Sequence, residues 1–200
     1  MYKRQRTAMP TLLTDPRSCD ATLFGSYFAT VGQLPFYRGQ VTVGDNDTAV
    51  FFASNAQLEL LGVASVVNMD STFRVVPVLF HQLFTMFAPL TEHTFPVCFA
   101  LMSRKTTALY EAVFHLLHEQ VPQFKPSQII ANFEEVPVTS GNDLIISGCW
   151  FHFAQALVKC MRKLGLAIPL RDDSGLLTLF RCLVSLPLLP EDDVRPGSRT

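Results

Sequence analysis

The feature that most restricts this chain is the stretch from Val63 to Ser103. Three apolar runs, "VASVVNMDSTFRVV", "FHQLFTMFA" and "FPVCFALMS", follow one another with short connections. They are rich in Val, Phe and Leu, and turn signals such as Pro77 and "APLTEH" separate them. Runs of this kind read as strands. A parallel pair needs a crossover of a dozen or more residues, which these connections do not provide. The three strands are therefore expected as an antiparallel meander, with Leu83, Thr85 and Phe87 of the second on one face.

Helical patterning begins after the meander. Leu109, Ala112, Val113, Leu116 and Leu117 recur at helical spacing and make one apolar face. Thr106 or Thr107 is placed to cap the start, although no glutamate completes a capping box, and Pro122 and Pro126 end the run. "SQIIANF" and "DLIISGC" read as a fourth and a fifth strand. A second helix carries Phe153, Leu157, Cys160, Met161 and Leu164 on the face expected to pack on the core, with Lys159, Arg162 and Lys163 facing solvent. Gly165 should stop it. A third helix carries Leu176, Leu177, Phe180, Leu183 and Val184.

Residues 1–48 are poorly patterned, with Pro10, Pro16, Gly25, Gly32, Pro35, Gly39 and Gly44 as punctuation and "GDNDT" as a turn. This lead-in is expected to hold one or two short strands. "AVFFASNAQLELLGVA" then suggests a short helix with Ser54 or Asn55 near its start. The resulting order, three strands, a helix, a strand, a shortened helical segment, a strand and two helices, is that of an α/β mixed sheet flanked by helices. It fits a ribonuclease H-like core.

The chain has 200 residues, 48% of them hydrophobic and 16% charged, which suits one globular domain with a real core. The net charge of -1 leaves no footprint for nucleic acid over the whole chain, so any DNA contact needs a local patch. Cys19, Cys98, Cys149, Cys160 and Cys182 show no paired spacing, and an odd count points to a reducing compartment. No run is long enough to span a membrane: Val75 to Leu90 is interrupted by His81 and Gln82. "MYKRQR" reads either as a nuclear address or as a solvated tail.

Two strand ends deliver polar side chains. Asp70 follows "VASVVNM" and reads either as a cap for the turn after it or as a metal ligand at the centre of a sheet. Asn132 follows "QIIA", where open α/β sheets often present an acid. Cys149 and His152 have the spacing of half a zinc site, and only His115 and His118 form another close pair. The plainer reading makes Cys149 a strand residue and His152 a helix-start residue. A thiol nucleophile at Cys149 is a further alternative, because it stands just before a helix. Glu191, Asp192 and Asp193 cluster in a segment that reads as a solvated loop. No Gly-rich phosphate loop, G-x-S-x-G or H-E-x-x-H occurs.

In order, "MDSTFRVVPVLFHQLFTMFA", "FPVCFALMSRKTTALYEAVFHLL", "IIANFEE", "GCWFHFAQALVKCMRKLGL" and "LVSLPLLPEDDV" resemble the transposase domain of Mutator-like elements (MULE). The similarity covers residues 49–195, with a core at about 64–164, leaving 196–200 as a tail. The resemblance implies a ribonuclease H-like fold that cuts and joins DNA in the nucleus with three carboxylates and Mg2+ or Mn2+. It implies DNA as partner, allows self-association, and calls for neither a membrane nor a small-molecule substrate. Asp70 matches the first acid. Asn132 stands at the second acid position, and the third acid is expected to be missing, because the similarity stops before the helix that carries it in the family. Cys149 and His152 match a motif lying between the second and third acids. The segment between Asn132 and Cys149, "FEEVPVTSGND" onward, is shorter than the family's helix there. The expectation is a transposase core that is catalytically inactive as it stands. The alternative is a non-catalytic DNA- or protein-binding module on the same scaffold.

Overall fold

The computed structural model describes residues 15–18, 34–74, 76–132, 144–190 and 193. These fall into two compact units. The first runs from Asp15 to Ala131 and takes in residues 144–146; the second holds Asn132 and the described residues from Ser147 on. The shortened segment between Asn132 and Cys149, the basic start of the chain, Cys19 and the tail lie largely or wholly outside the described residues.

Among the described residues the sheet has seven strands: β1 (Tyr37–Val43), β2 (Asp47–Phe52), β3 (Val66–Thr72), β4 (Gln82–Leu90), β5 (His93–Met102), β6 (Gln128–Ala131) and β7 (Ile145–Gly148). Their order is β1-β2-β5-β4-β3-β6-β7. The meander is present as read: β3 pairs antiparallel with β4, and β4 with β5. β6 then returns alongside β3 in parallel, after α2 (Thr107–Gln120) has carried the chain across. Of the short strands expected in the lead-in only β1 lies within it among the described residues; β2 begins at Asp47 and runs on through Phe52, ahead of the helix, and the two form a hairpin added to the edge of β5. Gly39 in β1 has φ +136 where the register shifts, a conformation that favours glycine.

Alternation decides which side chains enter the core. Val67 and Met69 of β3, Phe84, Met86 and Ala88 of β4, Ala100 and Met102 of β5, and Ile129 and Ala131 of β6 are buried in one cluster. α1 (Asn55–Val63) adds Leu58 and Leu61 to it, and α2 adds Leu109, Tyr110, Val113 and Leu117. Phe84 meets Tyr110 edge-on with ring centroids 5.3 Å apart. Val50 and Phe80 form a smaller cluster with Phe52, Leu79 and Leu101.

Local signals explain the helix ends. Ser54 caps α1: its hydroxyl accepts from the Gln57 amide at 3.3 Å, and Gln57 Oε1 accepts from the Ser54 amide at 2.8 Å. Thr106 precedes α2 but makes no side-chain cap; its hydroxyl donates to Asp47 Oδ2 at 3.3 Å instead.

The second unit contains α3 (Trp150–Lys163), α4 (Ala167–Asp172) and α5 (Ser174–Ser185). α3 ends in a Schellman turn. Gly165 takes φ +74, Leu166 N–H donates to the Met161 carbonyl at 3.0 Å, and Gly165 N–H donates to the Arg162 carbonyl at 3.1 Å. Asp173 caps α5 through Oδ1, which accepts from Gly175 and Leu176 N–H at 2.8 and 3.1 Å. Trp150 Nε1 donates to the Val184 carbonyl at 2.8 Å, tying the start of α3 to the end of α5.

The expected inward face of α3 needs correction. No residue of the helix is buried. Phe153, Leu157 and Met161 are half-buried, as are Ala154 and Val158, whereas Cys160 and Leu164 are exposed, Leu164 at 65%. The less exposed stripe is thus rotated away from Cys160 and Leu164. Lys159, Arg162 and Lys163 are exposed as expected. Among the described residues no helix is long and apolar enough to cross a membrane.

Candidate functional site

β3 is central, with β4 on one side and β6 on the other. Its odd-numbered residues Val67 and Met69 go to the core, so Asn68, Asp70 and Thr72 point to the opposite face. Asp70 is half-buried, and its register partner on β4 is Thr85. The parallel ladder with β6 runs from Val66 opposite Gln128 to Met69 opposite Ala131. Asp70 is the next residue on β3, and Asn132, half-buried, is the first residue after β6. Asp70 is thus carried by a strand held on both sides.

Cys149 is the residue before α3, half-buried, and its side chain makes no cap. His152 lies in the first turn of α3, half-buried, with its ring edge-on to Phe151 at 5.7 Å. His115 and His118 are exposed on α2, and His118 faces the Phe124 ring at 6.4 Å. Among the described residues no group of three or more His, Cys, Asp or Glu gathers that could hold a metal ion. A two-ion centre of the kind the resemblance implies needs several carboxylates to neutralise the ions. Asn132, the residue after β6, offers an amide oxygen without charge, so it cannot neutralise an ion as a carboxylate would.

The thiols divide by burial. Cys98, Cys149, Cys160 and Cys182 are free. Burial of Cys98, on β5 opposite Met86 of β4, pushes its thiol up to about 12, a hydrogen bond from the Met86 backbone offsetting a part. Cys98 is therefore a packing residue and not a nucleophile.

One buried polar constellation escaped the sequence reading. Gln82, 0% exposed, enters the core from β4. Its Nε2 donates to the Tyr110 hydroxyl oxygen at 2.8 Å and lies 3.1 Å from Met102 Sδ. Ser71 Oγ stands 3.4 Å from the same hydroxyl. The signal was present: a glutamine at the inward phase of "QLFTMFA", with a tyrosine on the apolar face of the helix. The trio ties β3, β4 and α2 together on the face opposite Asp70.

Comparison with protein-family models, curated proteins and solved structures finds no match.

Proposed function

We propose that the chain is the core of a DNA cut-and-join transposase of the Mutator-like kind, without catalytic competence, serving in the nucleus as a DNA-associating scaffold on a ribonuclease H-like sheet. The observation that carries this reading is the parallel ladder between β3 and β6. The two matched acid positions, Asp70 and Asn132, each directly follow its last residue pair, Met69 and Ala131. The strand order β5-β4-β3-β6-β7 supports it too, because a meander followed by a crossover helix and a parallel strand is what such a core calls for.

The electrostatics argue for inactivity. Phosphoryl transfer of this type holds two divalent ions close together, and they repel unless several carboxylates neutralise them. Asp70 supplies one negative charge. Asn132 has the shape of an aspartate but none of its charge, and magnesium favours hard charged oxygen ligands.

Manganese titration with a labelled DNA substrate tests the proposal. The native chain should neither cut nor join DNA, and Asn132→Asp should tighten metal binding without restoring either activity. Cleavage by the native chain that disappears in Asp70→Ala would overturn the inactive reading.

A further inference from the structure

The chain as a whole is nearly neutral, yet its charge is unevenly distributed. From Leu144 to Arg171 there is no carboxylate at all. α3 lies inside that stretch and carries Lys159, Arg162 and Lys163, all exposed. Spacings of three and four residues put the three on one face, with neighbouring side chains about 5–6 Å apart at their bases. Gln155, one turn earlier, shares the face. Among the described residues no ion pair involves any of the three, whereas Arg17, Arg104 and Arg171 are each paired with an aspartate. Cations in a last helical turn complement the helix dipole, which accounts for Arg162 and Lys163. It accounts neither for Lys159, a turn earlier, nor for the missing acids.

We infer that the Lys159–Arg162–Lys163 row is a docking surface for the phosphate backbone of duplex DNA, engaged without regard to base sequence. The assignment rests on the DNA-associating reading above and gives that reading a surface. Charge complementarity selects a polyanion as occupant. The helix itself selects nucleic acid over an anionic bilayer. A helix that binds at a bilayer surface must insert an apolar face, and in α3 the side chains opposite the cations, Phe153, Leu157 and Met161, are half-buried. Trp150, Phe151 and Leu164 are exposed at the two ends of the helix, and between them the exposed long side chains are Gln155 and the three cations, a row that suits phosphates contacted from outside the groove.

Salt dependence reads the number of such contacts. Each phosphate neutralised lowers the slope of log K against log salt by about 0.9, so three contacts weaken binding about 40-fold between about 50 and 200 mM salt. The full chain is titrated into a fluorescent duplex of arbitrary sequence, beside the triple variant Lys159→Gln/Arg162→Gln/Lys163→Gln. The variant should lose most of the affinity and a slope of about 2.7. Lys159→Arg/Lys163→Arg should keep both. Helical circular dichroism checks folding. If the triple variant does not fold, each single glutamine variant should shed a slope of about 0.9. Native binding whose slope is unchanged by the variants overturns this surface and leaves the DNA-associating reading standing. Absence of duplex binding by the native chain at low salt overturns both. Binding to phosphatidylserine vesicles in preference to the duplex overturns the choice of partner.

Discussion

The sheet unit and the helical unit use the same residue types to different ends. In the first, Phe84, Met86, Leu109, Leu117 and Ile129 are nearly without solvent contact, because a sheet face and two helices close over one another. In the second, α3, α4 and α5 contain no buried residue, although leucine is abundant in them. Leu179, Leu183 and Leu186, spaced four and three apart along α5 and its end, remain 57%, 43% and 39% exposed. The contrast separates two properties that apolar periodicity merges. Spacing says that a helix has an apolar face. Only a surrounding layer turns that face into a core.

Phe84 should separate the two units most sharply. Phe84→Ala should cost about 3–5 kcal/mol, the range for emptying a well-packed aromatic site. Leu157→Ala on α3 should cost only about 1 kcal/mol, since half-burial secures about half the value of a buried leucine. Chemical denaturation of both variants checks the pair, and equal losses would erase the distinction between the units. The chain has a single tryptophan, Trp150, at the start of α3. Its fluorescence should therefore change at lower urea than the near-ultraviolet dichroism of the sheet unit's tyrosine and phenylalanine residues. Coincident transitions would mean one cooperative unit.

A middle-sized effect is expected at the buried amide. Tyr110→Phe removes the oxygen that Gln82 Nε2 donates to, and a buried donor left without it costs about 1–3 kcal/mol. Adding Gln82→Met should recover most of that loss, because two apolar partners leave nothing unsatisfied. Failure of the second substitution to compensate would show that the trio acts through shape and not through its hydrogen bonds.

The smallest effect concerns Cys98. Its thiol is raised from 9.0 to about 12 by burial, so the folded chain holds this proton more tightly than the unfolded one. The resulting stability is present in full below about pH 9 and is lost as pH rises from there toward about 12. Thiol reagents should label exposed Cys160 and Cys182 at once and reach Cys98 only on unfolding. Prompt labelling of Cys98 would show that the sheet core opens as readily as the helical unit.

Much of the fold was legible because local chemistry and burial agree in it. The meander follows from runs of Val, Phe and Leu with short connections, the start of α1 from Ser54 or Asn55, of which Ser54 is the cap, and the end of α3 from Gly165. Asn132 was legible as the polar residue just past an apolar strand, whereas Asp70, read as a strand end, lies inside β3, because Ser71 and Thr72 go on pairing with β4. Less was legible where the answer depends on distant neighbours. The stripe of α3 was misphased by Cys160 and Leu164, because an apolar residue at helix spacing does not say whether anything covers it. Gln82 was passed over as an interruption of an apolar run, since its partner Tyr110 lies 28 positions away in sequence. α4 was missed because Pro169 sits inside it, and proline normally argues against helix interiors; here it falls within the first turns, where its missing N–H is tolerated.

The buried glutamine also bears on how the meander finds its alignment. β4 is apolar on both faces for much of its length, with Leu83 and Phe87 outside and Phe84 and Met86 inside. Hydrophobicity alone would let the strand slide by one position with little complaint. A slide of that kind would send Gln82 outward, bring Leu83 against the Tyr110 hydroxyl and leave that hydroxyl with Ser71 Oγ at 3.4 Å in place of the shorter bond from Gln82. One amide and one phenol thus act as a key that fits a single alignment of β4, rejecting misthreaded chains by the bond they lose.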